Sequence, residues 1–503
     1  MKHFKEIATS EKHASLVHKC TFQYSVLGLP QETSGSWGKS TMPWVTRTYD
    51  SFIQGFIASI PHFVNLHEIT IHGFKKEIKN EVFTALAALR HLESASFKAV
   101  KFGIHTIESR LKIRNFYLDN QTEEEPPHRS SPALDIISGQ YLQKLDLYSI
   151  PYSTRIFSAL KGLGGCPELT HLSVVLHSTK DISALYSFLA SCPKLISIRV
   201  ECANISNEYA VPPLPTSTIP YLSSFCGPST LAATFIPGRP VQKVAISLNF
   251  ERSFASFRFD VLEEARRVKI EFLKDLFSSV AQSTEPITDL FMSYLPCRPE
   301  FLALISEYFP MLKRFTFDTG ACNDFLFPRN NFESFSFLSQ TSVSSFSSFL
   351  PIGDFAVDST CSITSADRQK LDNKQLLPAS MHSFYMPILH WITVNEVPFP
   401  ESLETLSFRA QFPSTFSREE ERKLAEKDQI LGRPYTFDLA NSILSKLGDR
   451  YSVLRKIEVV GKKEELCWTR NAGNPGWLYD GRRSYDSQGP NFDLVNRILQ
   501  SRP

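Results

Sequence analysis

Long apolar runs are missing from this chain. Its most apolar stretch, FIQGFIASIPHFV at 52–64, contains Gln54 and Pro61 and falls short of the roughly 20 residues a bilayer requires, so no membrane contact is expected. The opening MKHFKEIATSEKHAS lacks the apolar core of a secretory signal. Paired cysteines are missing too. Nine are scattered singly with no CxxC, which fits reduced thiols of a cytoplasmic or nuclear protein. Asn120-Gln-Thr and Asn204-Ile-Ser then read as chance matches to a glycosylation sequon. An excess of either charge is absent: 54 Lys and Arg stand against 52 Asp and Glu, a net +2. That balance gives no global field to attract nucleic acid, and no basic run is interleaved with aromatics.

Catalytic motifs fail on inspection. SGSWGKST at 34–41 imitates a phosphate loop through Gly38, Lys39 and Ser40. The glycine needed at position 33 is Thr33, so the turn that lets backbone N–H groups cradle phosphate is lost. Pro43 then suits the start of a helix carrying Phe52, Ile53, Phe56 and Ile60 inward. His67-Glu68-Ile-Thr-Ile-His72 is one residue longer than the zinc-protease motif and lies on an expected strand, where the two histidines face opposite ways. No G-x-S-x-G elbow occurs. No catalytic residue, cofactor site or metal site is expected.

What the sequence does hold is a repeat. GGCPELTHLSV (164–174) and ASCPKLISIRV (190–200) share small-Cys-Pro-x-Leu-x-x-apolar-x-apolar. The same triplet, an anchor followed at +3 and +5, recurs at Leu66/Ile69/Ile71, Leu92/Ala95/Phe97, Ile113/Phe116/Leu118 and Leu142/Leu145/Leu147. It continues at Leu169/Leu172/Val174, Leu195/Ile198/Val200, Val241/Val244/Ile246, Ile287/Leu290/Met292, Leu312/Phe315/Phe317, Leu403/Leu406/Phe408 and Leu454/Ile457/Val459, with a degenerate copy at Leu222 and Phe225. From Leu66 to Leu222 successive anchors lie 21–29 residues apart, close to the period of leucine-rich repeats. Positions +3 and +5 share parity and so one face of a short strand. Helical patterns intervene: Ile182, Leu185 and Leu189 after a cap at Asp181; Ile156, Leu160 and Leu163; Phe301, Ile305 and Phe309. No helix–turn–strand unit can bury its apolar face alone, so neighbours must stack. The competing architecture is a doubly wound α/β domain. Cys166 and Cys192 share one repeat position, where a small buried thiol fills the turn.

Three segments are expected: a solenoid over 1–312 with a helical insertion near 250–283, an irregular Ser- and Phe-rich insertion over 313–402, and final repeats with a cap over 403–503. The insertion's tip near 357–375 is expected to be mobile. The helical insertion should bury Val261, Ala265, Val268, Phe272, Leu276 and Val280. QTEEEPPHRSSP at 121–132 reads as a solvated loop. Trp468, Trp477 and Tyr479, with a helix near 492–500, read as the cap a terminal repeat needs.

The cysteine-bearing repeats resemble those of F-box proteins, most closely the F-box-like leucine-rich-repeat family of mushroom-forming (basidiomycete) fungi. IPYLSSFCGPSTLAATFIPGRPVQKVAISL (219–248), LHWITVNEVPFPESLETLSF (389–408) and SEKHASLVHKCTFQ (10–23) are similar to segments of that family. LPQE (29–32) imitates an F-box opening, but Gly, Ser and Trp follow rather than an amphipathic helix, and no F-box is recognisable ahead of the repeats.

The resemblance implies a curved α/β horseshoe, parallel strands on its concave face and helices on its convex face. It implies a non-enzymatic role: the substrate-binding part of a ubiquitin-ligase receptor or, alternatively, a scaffold or inhibitor without a ligase link. The partners would be proteins, with a ligase adaptor only if an F-box is supplied elsewhere. Residues between the anchors are the candidate concave contacts: His67, Glu68, Thr70, Arg114, Asn115, Tyr117, Gln143, Lys144, Asp146, His171, Ser173, Ser197, Arg199, Lys313 and Arg314.

Overall fold

A computed structural model describes residues 2–23, 43–73, 77–102, 109–120, 133–178, 181–204, 211–248, 270–293, 299–318, 389, 392–393, 397–409, 437–460, 464–471 and 476–484. These residues fall into two compact units that divide between Pro240 and Val241.

The first unit is a parallel sheet with helices between its strands. Its strands are β1 (Lys19–Gln23), β2 (Glu68–His72), β3 (Glu77–Ile78), β4 (Ser94–Lys98), β5 (Lys101–Phe102), β6 (Asn115–Asp119), β7 (Lys144–Tyr148), β8 (His171–Ser178), β9 (Ser197–Asn204) and β10 (Ser224–Pro228). The main sheet runs β1-β2-β4-β6-β7-β8-β9-β10, while β3 and β5 form a parallel pair of their own. Every new main-sheet strand therefore joins the same edge. A doubly wound domain instead reverses its strand order at a switch point, so that competing architecture does not describe this unit.

The anchors explain the order. Each residue of the expected triplets is at most 5% exposed, from Leu66 to Val459. Helices cover the anchor face: Phe83 of Asn80–Ala87 meets Phe97 of β4, and Phe157 of Ile150–Gly162 stacks on Phe188 of Ile182–Leu189 at 4.6 Å. Each fully buried Leu or Phe contributes about 1.5–3 kcal/mol, which no isolated repeat could collect. The carbonyl just before one strand accepts two N–H groups from the next, at His18, His67, Glu93, Arg114, Gln143, Thr170 and Ile196. This double acceptance holds the register while loop lengths vary. The degenerate copy has Gly227 at +5 because a Cβ there would lie 3.0 Å from the Phe225 ring and 3.1 Å from the Val200 carbonyl.

The second unit carries β11 (Lys243–Ser247), β12 (Asp289–Ser293), β13 (Arg314–Asp318), β14 (Thr405–Arg409), β15 (Lys456–Val460), β16 (Glu464–Thr469) and β17 (Leu478–Ser484). The first five are parallel in chain order. β16 and β17 then add antiparallel. That reversal ends the parallel ladder, with Trp468 fully buried against Tyr479 at 5.7 Å.

Some expectations shift. Residues 314–318, expected within the irregular insertion, form β13 and pair in register with β14. Phe272 is 42% exposed, and the buried face of Ile270–Val280 is Leu273, Leu276, Phe277 and Val280. At about 100° per residue, steps of four drift around the helix, so the i, i+4 series slid off the true face. Leu163, at the C-cap of its helix, is only half-buried. Asp181 precedes its helix but makes no capping bond, since its backbone is already helical at φ −79°, ψ −8°. The helix beginning at Pro43 forms as expected, with Ile53, Phe56 and Ile60 buried and Phe52 against Phe22 at 4.5 Å. Asn120 is buried and its amide donates to the Val100 carbonyl at 2.8 Å, a position no glycan could share. The stretches 34–41, 121–132 and 492–500, the tip at 357–375, and Val261, Ala265 and Val268 lie outside the described residues.

Candidate functional site

Strand parity builds the site. With the anchors turned into the core, positions +2, +4 and +6 face the other way. In the first unit that face has three rows, aligned by the parallel register. The +2 row holds Glu68, Ser94, Asn115, Lys144, His171 and Ser197; the +4 row holds Thr70, Ser96, Tyr117, Asp146, Ser173 and Arg199; the +6 row includes Lys98, Asp119, Tyr148 and Glu201.

The centre of this face gathers polar side chains of β4 and β6–β9. The Tyr117 hydroxyl donates to Asp119 Oδ2 at 3.2 Å, and its ring lies 5.5 Å from that of Tyr148. Ser173 Oγ donates to the Tyr148 hydroxyl at 2.9 Å. Lys144 Nζ lies 3.1 Å from Asp146 Oδ2. Arg199 donates through Nε at 2.9 Å and Nη2 at 2.6 Å to Glu201 Oε1. Lys98 places its ammonium 5.3 Å from the Tyr117 ring centre.

Burial sets the electrostatics. The Asp146 side chain is only 13% exposed, and desolvation lifts its pKa above the ordinary carboxylate value, against the pull of Lys144, His171 and Arg199. Burial also raises the Tyr117 phenol, with Asp119 adding to the effect, and the Tyr148 phenol. The exposed His171 ring is pushed toward its neutral form by desolvation and by Lys144.

A raised carboxylate pKa means that ionised Asp146 works against folding. Its contribution is fully present below the unfolded pKa of about 4 and is lost as pH rises through the higher folded value. Asp146→Asn removes this titration. Denaturant unfolding of both proteins between pH 4 and 7 should show the stability difference moving in favour of the variant as pH rises. A constant or opposite trend would show that the carboxylate is not strained.

Of the fifteen expected contacts, Glu68, Thr70, Asn115, Tyr117, Lys144, Asp146, His171, Ser173, Ser197 and Arg199 lie together on this face. Two of them are less open than expected: Ser173 is 7% and Arg199 8% exposed, because neighbouring side chains wall them in. His67, Arg114 and Gln143 instead sit one residue ahead of their strands, with the parity of the buried +3 and +5 residues, in the turns whose carbonyls set the register. His67 stacks there on His18 at 5.6 Å. Lys313 holds the same turn position in the second unit, and Arg314 pairs with the buried carboxylate of Asp289. Tyr148, Asp119, Glu201 and Lys98 were missed, although extending the alternation one step to +6 points to them.

Cys166 and Cys192 are fully buried free thiols, and the Cys192 thiol donates to the Phe188 carbonyl at 3.5 Å. Among the described residues no helix is long and apolar enough to cross a membrane, and no three His, Cys, Asp or Glu side chains group as metal ligands. Comparison with known proteins finds no family model that matches the chain and no curated protein that matches it.

Proposed function

We propose that the chain is a non-enzymatic recognition protein of the leucine-rich-repeat type that binds a protein partner through the polar strand face of its first unit. The observation that carries this reading is the cluster Tyr117, Asp146, Tyr148, Ser173 and Arg199. The strand face opposite the anchors holds two tyrosines, a desolvated carboxylate and a buried arginine. Tyrosine and arginine dominate interface energetics because they offer large, stiff contact areas with polar tips. The sequence resemblance favours the substrate-binding part of a ubiquitin-ligase receptor as the setting for such a face. A scaffold or inhibitor would use it in the same way.

The test is capture from extract of the protein's own cells with the full chain, the Tyr117→Ala variant, and a control altered on a helix, Glu300→Ala. A specific partner should be retained by the control and lost by about tenfold or more with Tyr117→Ala. Equal capture by all three would remove the strand face from the reading. A ligase adaptor and cullin among the captured proteins would separate a receptor from a scaffold.

A further inference from the structure

Register on the strand face makes a square. Tyr117 is the cross-strand partner of Asp146, and Asp119 that of Tyr148. Phenols therefore occupy one diagonal and carboxylates the other. The rings are 5.5 Å apart, inclined at 46°. Aromatic faces beside carboxylates attract cations through ring quadrupole and charge together.

The square already draws cations from the chain itself. Lys98, opposite Asp119, lays its ammonium 5.3 Å from the Tyr117 ring centre. Lys144, its side chain 44% exposed, reaches Asp146 at 3.1 Å. Both are long, flexible side chains with hydrated ammonium groups, whose contacts can be exchanged for those of another cation. Even with Lys144, His171 and Arg199 nearby, the Asp146 carboxyl is incompletely compensated for its burial.

We infer that the square Tyr117–Asp119–Asp146–Tyr148 receives an arginine or lysine side chain from a basic segment of the partner, which displaces Lys98 from the Tyr117 ring. This deepens the recognition reading and rests on it. Arginine fits best, because its flat guanidinium can lie on a phenol while donating to a carboxylate.

The probes are three peptides, alternating arginine–serine, glutamate–serine and glutamine–serine, titrated calorimetrically into the full chain at low salt. Arginine–serine should bind about tenfold or more tightly than glutamine–serine. Asp146→Asn should abolish that advantage, and Lys98→Ala should enlarge it by removing the internal competitor. Asp146→Asn is expected to be no less stable at neutral pH, so a loss of binding would not be a loss of fold. Arginine–serine binding equally to wild type and Asp146→Asn, glutamate–serine binding as well as arginine–serine, or no peptide binding at all would each overturn the inference. Tyr117-dependent partner capture persisting alongside any of these results would leave the recognition reading standing and remove only its cationic partner. Asp146-dependent arginine–serine binding without such capture would do the reverse.

Discussion

Replacing Arg239 by alanine should destabilise the first unit by about 3–5 kcal/mol, because more than one buried carbonyl loses its donor at once. Arg239 is fully buried, an unusual place for a guanidinium. It closes the helix Ser229–Phe235 from below. Nη1 donates to the Phe235 carbonyl at 2.9 Å, and Nη2 to the carbonyls of Leu214 and Pro215 at 3.0 and 2.7 Å. These acceptors include a helix-end carbonyl with no intrahelical donor, and a cation there also meets the negative end of the helix dipole. Burial lowers the Arg239 pKa, but the planar fork stays charged. Removing it leaves the Phe235 and Leu214 carbonyls unpaired, at about 1–3 kcal/mol apiece, partly relieved if water enters, while the Pro215 carbonyl keeps the Thr218 N–H at 3.0 Å. Lysine should recover only part of the loss, since one ammonium cannot span both loops. Hydrogen exchange read at residues 214–240 would localise the effect. Ordinary protection there in Arg239→Ala would show that the fork is dispensable. Arg470 repeats the device in the second unit, donating to the carbonyls of Gly448, Tyr451, Ser452 and Leu454.

The two arginines mark the limit of what the sequence could disclose. Its apolar period specified the strands well: every expected anchor triplet is buried, because one alternation on a short strand admits only one inward face. Helix faces were less legible. The Ile270–Val280 face was misjudged at Phe272, where spacings of three and four compete. β1 escaped the triplet search because its +3 position after Val17 is a half-buried thiol, Cys20, rather than an apolar core residue, yet it pairs with β2 across five residues. The polar face was legible as parity but not as connection. That Tyr148 joins Ser173, or that the Tyr117 ring meets that of Tyr148, depends on register between repeats of unequal length, which only the folded backbone fixes. Arg239 and Arg470 look like ordinary surface arginines in sequence, since the carbonyls they serve lie up to 25 residues away.

Gly165→Ala is expected to cost about 2–5 kcal/mol, from two independent causes. The first is backbone: Gly165 has φ +81°, where a Cβ costs about 1–2 kcal/mol. The second is space. A Cβ at Gly165 would lie 2.3 Å from Ser191 Cβ, and overpacking of this kind costs about 1–3 kcal/mol. The neighbour cannot withdraw easily, because the Ser191 carbonyl accepts the Cys166 N–H at 3.1 Å and its hydroxyl donates to the Phe188 carbonyl at 2.7 Å. One repeat earlier, Gly139 stands as close to Gly165: a Cβ there would meet the Gly165 carbonyl oxygen at 2.1 Å. The turns at Gly139, Gly165 and Ser191 thus stack with no room for a side chain on the first two, and the buried thiols of Cys166 and Cys192 fill the adjoining position. Gly164, also at positive φ, has open space around its missing Cβ, so Gly164→Ala should show the backbone cost alone. Comparing the two variants by denaturant unfolding separates the causes. Equal losses would mean that the repeats spread apart at little cost. A distinctly larger loss at Gly165 would mean that the spacing between neighbouring turns is fixed by the contact itself.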